Sequence, residues 1–263
     1  MSKKSALLIG CNYLGTALTS DGNIDTIHTF DQFLTERMFV LDSLILCDAG
    51  TGPKPTKQNI MEYYENMLNS ANKGDVLFLV YAGASQILSK DAVIVPSDYI
   101  QNGYINGNDF RSMLDMVPEG VTLFCVSDSV YATAPVSLRY EVTDISTGNL
   151  SLKQKVANNR KIPNFSNYNS KQTVIENIPV HETDSSVLFL FGLGDHQLQS
   201  GYILCSLIQT MDKMHLHGLQ LNHLLTRMQA TIRFNDKDIN LKLFCGQFME
   251  MNVTFGRFVA GNI

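Results

Sequence analysis

The chain lacks the features that most readily disclose a chemistry. No apolar run in its 263 residues approaches the ~18–20 needed to span a membrane; those at 76–81 and 187–193 are the size of strands. Lys3-Lys4 precedes Ala6-Leu7-Leu8-Ile9, but Asn12 cuts the stretch short of a signal-peptide core. C-x-x-C is absent, and the five cysteines are odd in number and widely scattered. That pattern suits buried thiols in a reducing compartment better than a disulfide framework. There is no surplus of positive charge: 20 Lys+Arg against 25 Asp+Glu leave −5. The sequence pI of about 5.6 argues against nucleic acid as the main partner.

Common catalytic and nucleotide-binding signatures are missing too. Gly-x-Ser-x-Gly and the P-loop do not occur. Gly192-x-Gly194 lacks a third glycine, and Asp195-His196-Gln197 does not open a phosphate-cradling helix, so a turn accounts for it. His215 and His217, two apart, fall on nearly opposite faces of a helix and cannot share a metal. They suit the negative end of a helix before Gly218. His28, beside Ile24 on a helix, reads as a partly buried packing residue, while His181 and His223 have no evident acidic or cysteine partner. No metal or cofactor is expected. The expectation is one domain over residues 1–263, soluble, cytoplasmic and monomeric.

What is present is an α/β rhythm. At 44% hydrophobic and 17% charged the chain is globular. Short apolar runs at 5–11, 44–47, 76–81 and 121–126, with a weaker one at 92–95, read as strands. Helical spacing appears from Ile24 to Leu34, with Asn23 as N-cap, and after Pro55-Thr56, ending at Lys73-Gly74. A short helix is expected at 109–116. Strands joined by helical crossovers predict an α/β fold with a mostly parallel central sheet flanked by helices on both faces. Residues 141–186 are rich in Asn, Ser, Thr and Lys and read as a long polar loop. The pattern resumes with a strand at 187–193, helices at 201–214 and 219–228, and apolar segments at 241–244 and 253–259. Buried inert thiols account for all five cysteines: Cys11, Cys47, Cys125, Cys205 and Cys245.

Four ordered motifs in the first 140 residues then carry a resemblance. Lys73-Gly74-Asp75-Val76-Leu77-Phe78-Leu79-Val80-Tyr81-Ala82-Gly83-Ala84-Ser85 resembles the metacaspase pattern P-G-D-x-L-F-F-x-Y-S-G-H-G. Gly120-Val121-Thr122-Leu123-Phe124-Cys125-Val126-Ser127-Asp128-Ser129-Val130-Tyr131 resembles G-V-x-L-x-x-x-x-D-S-C-H. Gly22-Asn23-Ile24-Asp25-Thr26-Ile27-His28 is similar to G-C-x-N-D-x-H, and Pro55-Thr56-Lys57-Gln58-Asn59-Ile60 to P-T-K-x-N-I. More loosely, residues 190–197 are similar to F-S-G-C-x-D-x-Q. The resemblance implies a caspase-like fold of the type I metacaspase core.

It also implies a chemistry that these residues cannot perform. The family's histidine position is Ala84 and its cysteine position is Val130, followed by Tyr131 rather than histidine. Valine has no attacking lone pair and alanine moves no proton; losing one member of such a unit typically removes ~10⁶ in turnover. Ser129 and Tyr131, or Tyr81 and Ser85, flank the lost groups without a general base near in sequence other than Asp128. The family's basic-residue pocket retains Asp128, but has Thr26 for its other aspartate, Asn23 for a cysteine and Ala82 for a serine. Asp128 and Asp25 then leave weak attraction, and peptide binding in a remnant cleft lined by Asp128, Asp25, Thr26, Tyr81, Ala82, Ser85 and Tyr131 stays open. The loop at 86–98 has only Asp91 and Asp98, too few oxygens for calcium. The expectation is therefore an inactive, binding or regulatory member, with an active metacaspase or another protein as partner. The alternative is an endopeptidase-like enzyme with a relocated site using Cys125, Tyr131 or His196.

Overall fold

The computed structural model describes residues 2–88, 91–129, 136–154, 180–181, 186–193, 201–213, 219–235 and 239–247. In chain order the elements are β1 Lys4–Gly10, α1 Asn23–Met38, β2 Asp42–Cys47, α2 Lys57–Asn69, β3 Val76–Gly83, β4 Ser85–Leu88 and β5 Asp91–Ile94. Then come α3 Tyr99–Asn102, α4 Gly107–Asp115, β6 Thr122–Ser129, β7 Ser137–Leu138, β8 Tyr140–Thr143, a 3-10 turn Ile145–Thr147 and β9 Ser151–Gln154. The rest are β10 Val180–His181, β11 Ser186–Leu193, α5 Tyr202–Asp212, α6 Leu221–Asn235 and β12 Asn240–Cys245.

Eight strands form one sheet in the order β2-β1-β3-β6-β11-β12-β8-β9. The pairings from β2 across to β11 are parallel, and those from β11 to β9 are antiparallel. The parallel half has continuous apolar strands because both of its faces are covered: all eight residues of β3 and of β6 are buried. Alternation sorts the side chains. Phe78, Val80, Ala82, Phe124 and Val126 face a core built with α1, α5 and α6. Leu77, Leu79, Tyr81, Leu123 and Cys125 face a second core with α2 and α4. The expected α/β architecture, a central sheet with helices on both faces, is thus present, and the sheet is mixed.

Local chemistry sets the helix ends. Thr56 caps α2 by accepting from Asn59 N, and Asn106 with Asp109 forms a capping box at α4. The cap of α1 is Gly22, in the left-handed region at φ 91°, not Asn23. Asn23 is instead the first helical residue, fully buried, and its Nδ2 donates to Cys11 O at 2.7 Å. The α2 helix stops at Asn69, ahead of Lys73-Gly74.

Residues 141–154 are not loop, as their polarity suggested, but the edge hairpin of β8 and β9. Only one side of β9 is covered, so its Ser-Leu-Lys-Gln sequence shows little apolar periodicity. Its pairing sets Lys153 opposite Glu141, which also holds Lys242 at 2.7 Å. β4, unmarked by any apolar run, pairs with β5 as a second hairpin. α6 runs seven residues beyond Met228. His28 is exposed rather than packed, and so is Cys205, because each lies on the outer side of its helix. The segment 253–259, His196, His215, His217 and most of the 141–186 stretch after Gln154 lie outside the described residues.

One buried side chain ties α6 to β12. Gln229 Nε2 donates to Ile239 O at 2.9 Å and its Oε1 accepts from Leu241 N at 2.6 Å. Gln229→Ala orphans both backbone groups; urea unfolding is expected to show a loss of about 2–3 kcal/mol with the slope unchanged.

Candidate functional site

The parallel register of β3 and β6 ends with Ala82 beside Asp128 and Gly83 beside Ser129. The described strands end there, so Ala84 and Ser85 meet Ser129 at the carboxyl edge, where open α/β sheets present ligands. Ala84 is buried at 2% exposure and hydrogen-bonded at both backbone groups. Its N–H donates to Tyr13 Oη at 2.9 Å, while its carbonyl accepts from Tyr81 Oη at 2.5 Å and from Val95 N at 3.1 Å.

Two tyrosines hold this point. Tyr13 Oη and Tyr81 Oη lie 2.7 Å apart, and both contact Val95 O, at 2.6 and 3.0 Å. Tyr13 reaches the site in a left-handed conformation, φ 52°, pinned by Asp48, whose carboxylate accepts from Asn12 N and Tyr13 N. Burial pushes both phenols well above their ordinary range, so they remain neutral donors. The pair sits directly on Gly83: a Cβ there would lie 2.6 Å from Tyr81 Oη and 2.7 Å from Tyr13 Oη. Glycine is therefore required by close approach.

Beside Ala84, Ser85 Oγ donates to Ser129 Oγ at 3.0 Å, and Ser127 Oγ contacts the same oxygen at 3.4 Å. All three serines are buried. Among the described residues no histidine, lysine or carboxylate bonds this trio. Val130 and Tyr131 lie outside the described residues.

The other face of the sheet holds the remaining acid. Asp128 follows Val126 by two and so shares the face of Ala82, toward α1 and α5. It is 1% exposed, and its Oδ2 accepts from Leu204 N at 2.9 Å. Burial raises its carboxyl to about 6, against the lowering pull of the Leu204, Gly201 and Ile203 backbone N–H groups. Thr26, half-buried on α1, faces Gly201 at the head of α5, where an added Cβ would lie 3.0 Å from Thr26 Oγ1. Asn23, three residues before it, buries Oδ1 without a hydrogen-bond partner.

The sequence candidates thus divide. Ala82, Thr26 and Asp128 gather on the α1/α5 side, Ser85 joins Ser129, Tyr81 lies under the opposite face, and Asp25 is exposed on α1. Two contributors lacked a sequence signal: Tyr13, paired across 68 positions with Tyr81, and Gly201. Burial pushes the thiols of Cys11, Cys47 and Cys125 up, and that of Cys245 up to about 12. The exposed Cys205 is raised by partial burial of its thiol and by the Asp128 charge. Under the site a cavity of about 20 Å³, lined by Ile9, Tyr81, Phe110, Cys125 and Phe189, is apolar and too small for an organic ligand. Among the described residues no cluster of three His, Cys, Asp or Glu is placed to hold a metal, and no helix is long and apolar enough to cross a membrane.

Residues 4–139 match the family model described as metacaspase, peptidase C14 domain. Metacaspase-7 of Arabidopsis thaliana is 33% identical over 142 residues, covering 49% of this chain and 34% of its own length. Metacaspase-1 of Candida albicans is 30% identical over 156 residues, 52% of this chain and 35% of its own. The chain spans about a third of the length of these relatives. Across nearly the whole chain the fold is similar to the crystal structure of protein GSU0716 from Geobacter sulfurreducens. There the TM-score is 0.61 at 14% identity, covering 94% of this chain and 95% of that one.

Two predictions follow from the geometry. Gly83→Ala is expected to cost about 2–3 kcal/mol in denaturant unfolding. Only part of that loss should be recovered in a Tyr13→Phe background, because Tyr81 Oη and Cζ, 2.6 and 2.7 Å from the added Cβ, remain in the way. The second concerns pH. A carboxyl raised from 3.8 to about 6 on folding contributes stability that is full below pH 4 and lost as pH rises through 6. The difference in unfolding free energy between native chain and Asp128→Asn should change by about 3 kcal/mol across that window and be flat above it.

Proposed function

The chain belongs to the metacaspase family, whose peptidase C14 model it matches over residues 4–139, and on that premise we propose that it is a non-proteolytic member acting as a binding or regulatory protein. One observation carries the proposal: where the family motifs place histidine and cysteine, this sequence has Ala84 and Val130. Peptide-bond cleavage by this chemistry requires a thiolate to attack the carbonyl and an imidazole to take and return a proton. Neither hydrocarbon side chain can do either.

The surroundings support this reading. The Ala84 backbone is fastened by Tyr13 and Tyr81, which fill the space against Gly83 with neutral phenols. The three serines bond to one another, no base among the described residues joins them, and a hydroxyl relay without a base does not generate an alkoxide. Against a relocated cysteine nucleophile stand the upward-shifted thiols of Cys11, Cys47, Cys125, Cys205 and Cys245, since attack needs the thiolate. The proposed partner is a protein, with an active metacaspase as first candidate; the proposed chain is monomeric and independent of calcium.

The test is direct. Purified protein, with and without calcium, is expected to leave Arg- and Lys-containing peptides uncut, at least ~10⁶-fold below an active relative. Background turnover should be the same in the Ser129→Ala and Cys205→Ala chains. Cleavage that disappears in either variant overturns the proposal. Titrating the protein into an active metacaspase and reading its turnover then tests the regulatory role.

A further inference from the structure

The N-terminus of α5 is chemically incomplete. Its cap, Gly201, lies in the left-handed region at φ 93° with no side-chain hydrogen bond, and its first turn contains no acidic residue. A helix that starts so leaves several backbone N–H groups without partners. They find one far away in sequence: Asp128, at the end of β6, accepts from Leu204 N at 2.9 Å and is approached by the N–H groups of Gly201 and Ile203. A carboxylate at this end also opposes the positive pole of the helix. Among the described residues no cationic side chain pairs with Asp128, which is 1% exposed.

Thr26 closes the same space from α1, against Gly201. A Cβ on that glycine would stand 3.0 Å from Thr26 Oγ1 and 3.4 Å from Cys205 Sγ, so the helix end already lies against the wall that Thr26 forms. Ala82, beside Asp128 in the register, completes the lining from β3. We propose that the head of α5 is the resident occupant of this pocket: it takes the Asp128 carboxylate as its cap, and the pocket admits no arginine or lysine side chain. A guanidinium could reach Asp128 only by withdrawing the first turn of α5 and stripping partners from its buried N–H groups. The partner of this protein is therefore selected by surfaces other than a basic-residue pocket. This inference rests on the family reading for the expectation of such a pocket, and on the atoms above for its closure.

The test uses the full chain and an arginyl peptide as probe. The native protein should show no saturable binding of the peptide up to about 1 mM. Thr26→Asp, which sets a second acid against Gly201, should lower the melting temperature without creating binding. Cys205, the one exposed cysteine among the described residues, reports on the helix head through its rate of labelling by a thiol reagent. Asp128→Ala removes the cap and should speed that labelling about tenfold or more by freeing the first turn, whereas Asp128→Asn, which keeps an acceptor oxygen, should leave it within about twofold. Saturable arginyl binding that protects Cys205 and is lost in Asp128→Asn overturns the closure, as does an unchanged labelling rate in Asp128→Ala. Should Thr26→Asp or Asp128→Ala fail to fold, binding by the native chain decides. Binding without cleavage would sink the closed pocket and leave the non-proteolytic reading intact; cleavage without Arg or Lys preference would do the reverse.

Discussion

Eight consecutive residue pairings hold β3 parallel to β6, from Val76 with Thr122 to Gly83 with Ser129, and the site is built where that register runs out. Because side chains alternate across a strand, one residue decides the face on which a group works. Asp128 points toward α1 and α5, while Ser127 and Ser129 share the opposite side with Cys125. The same pairing brings Ser85 to Ser129 and Ala82 to Asp128. A slip of one position would turn the acid into the apolar core under α2 and α4.

Around that register the protein engages two sets of buried polar groups internally. On one side two neutral tyrosines bind the backbone at Ala84 and Val95; on the other a carboxylate binds the head of α5. Burial then shifts the titrating groups toward their neutral forms, phenols and thiols upward and Asp128 to about 6. Among the described residues the carboxyl edge thus has little free nucleophilic or basic character, in keeping with a proposed role in binding rather than turnover.

Much of this was legible because it is local. Continuous apolar runs marked β1, β3, β6 and β11, and Thr56 before an apolar stripe marked the head of α2. The β8–β9 hairpin was not legible, since an edge strand covered on one side, with Lys153 facing Glu141, leaves no apolar run to detect. Tyr13 gave no signal because its partners, Tyr81 and Val95, are 68 and 82 positions away. Cys205 shared the composition of four buried cysteines, and only the helix face it occupies set it apart.

By itself the sequence determined the family frame, through ordered motifs, and the identities of Ala84 and Val130, on which the proposed loss of turnover rests. Those are properties of single residues and of short-range periodicity. Tertiary structure alone decided what Asp128 does, because its hydrogen-bond partner Leu204 lies 76 positions along the chain and depends on α5 packing over β6. A carboxylate reads the same in a sequence whether it awaits a cation or caps a helix; the donors that fold brings within 3 Å make the difference.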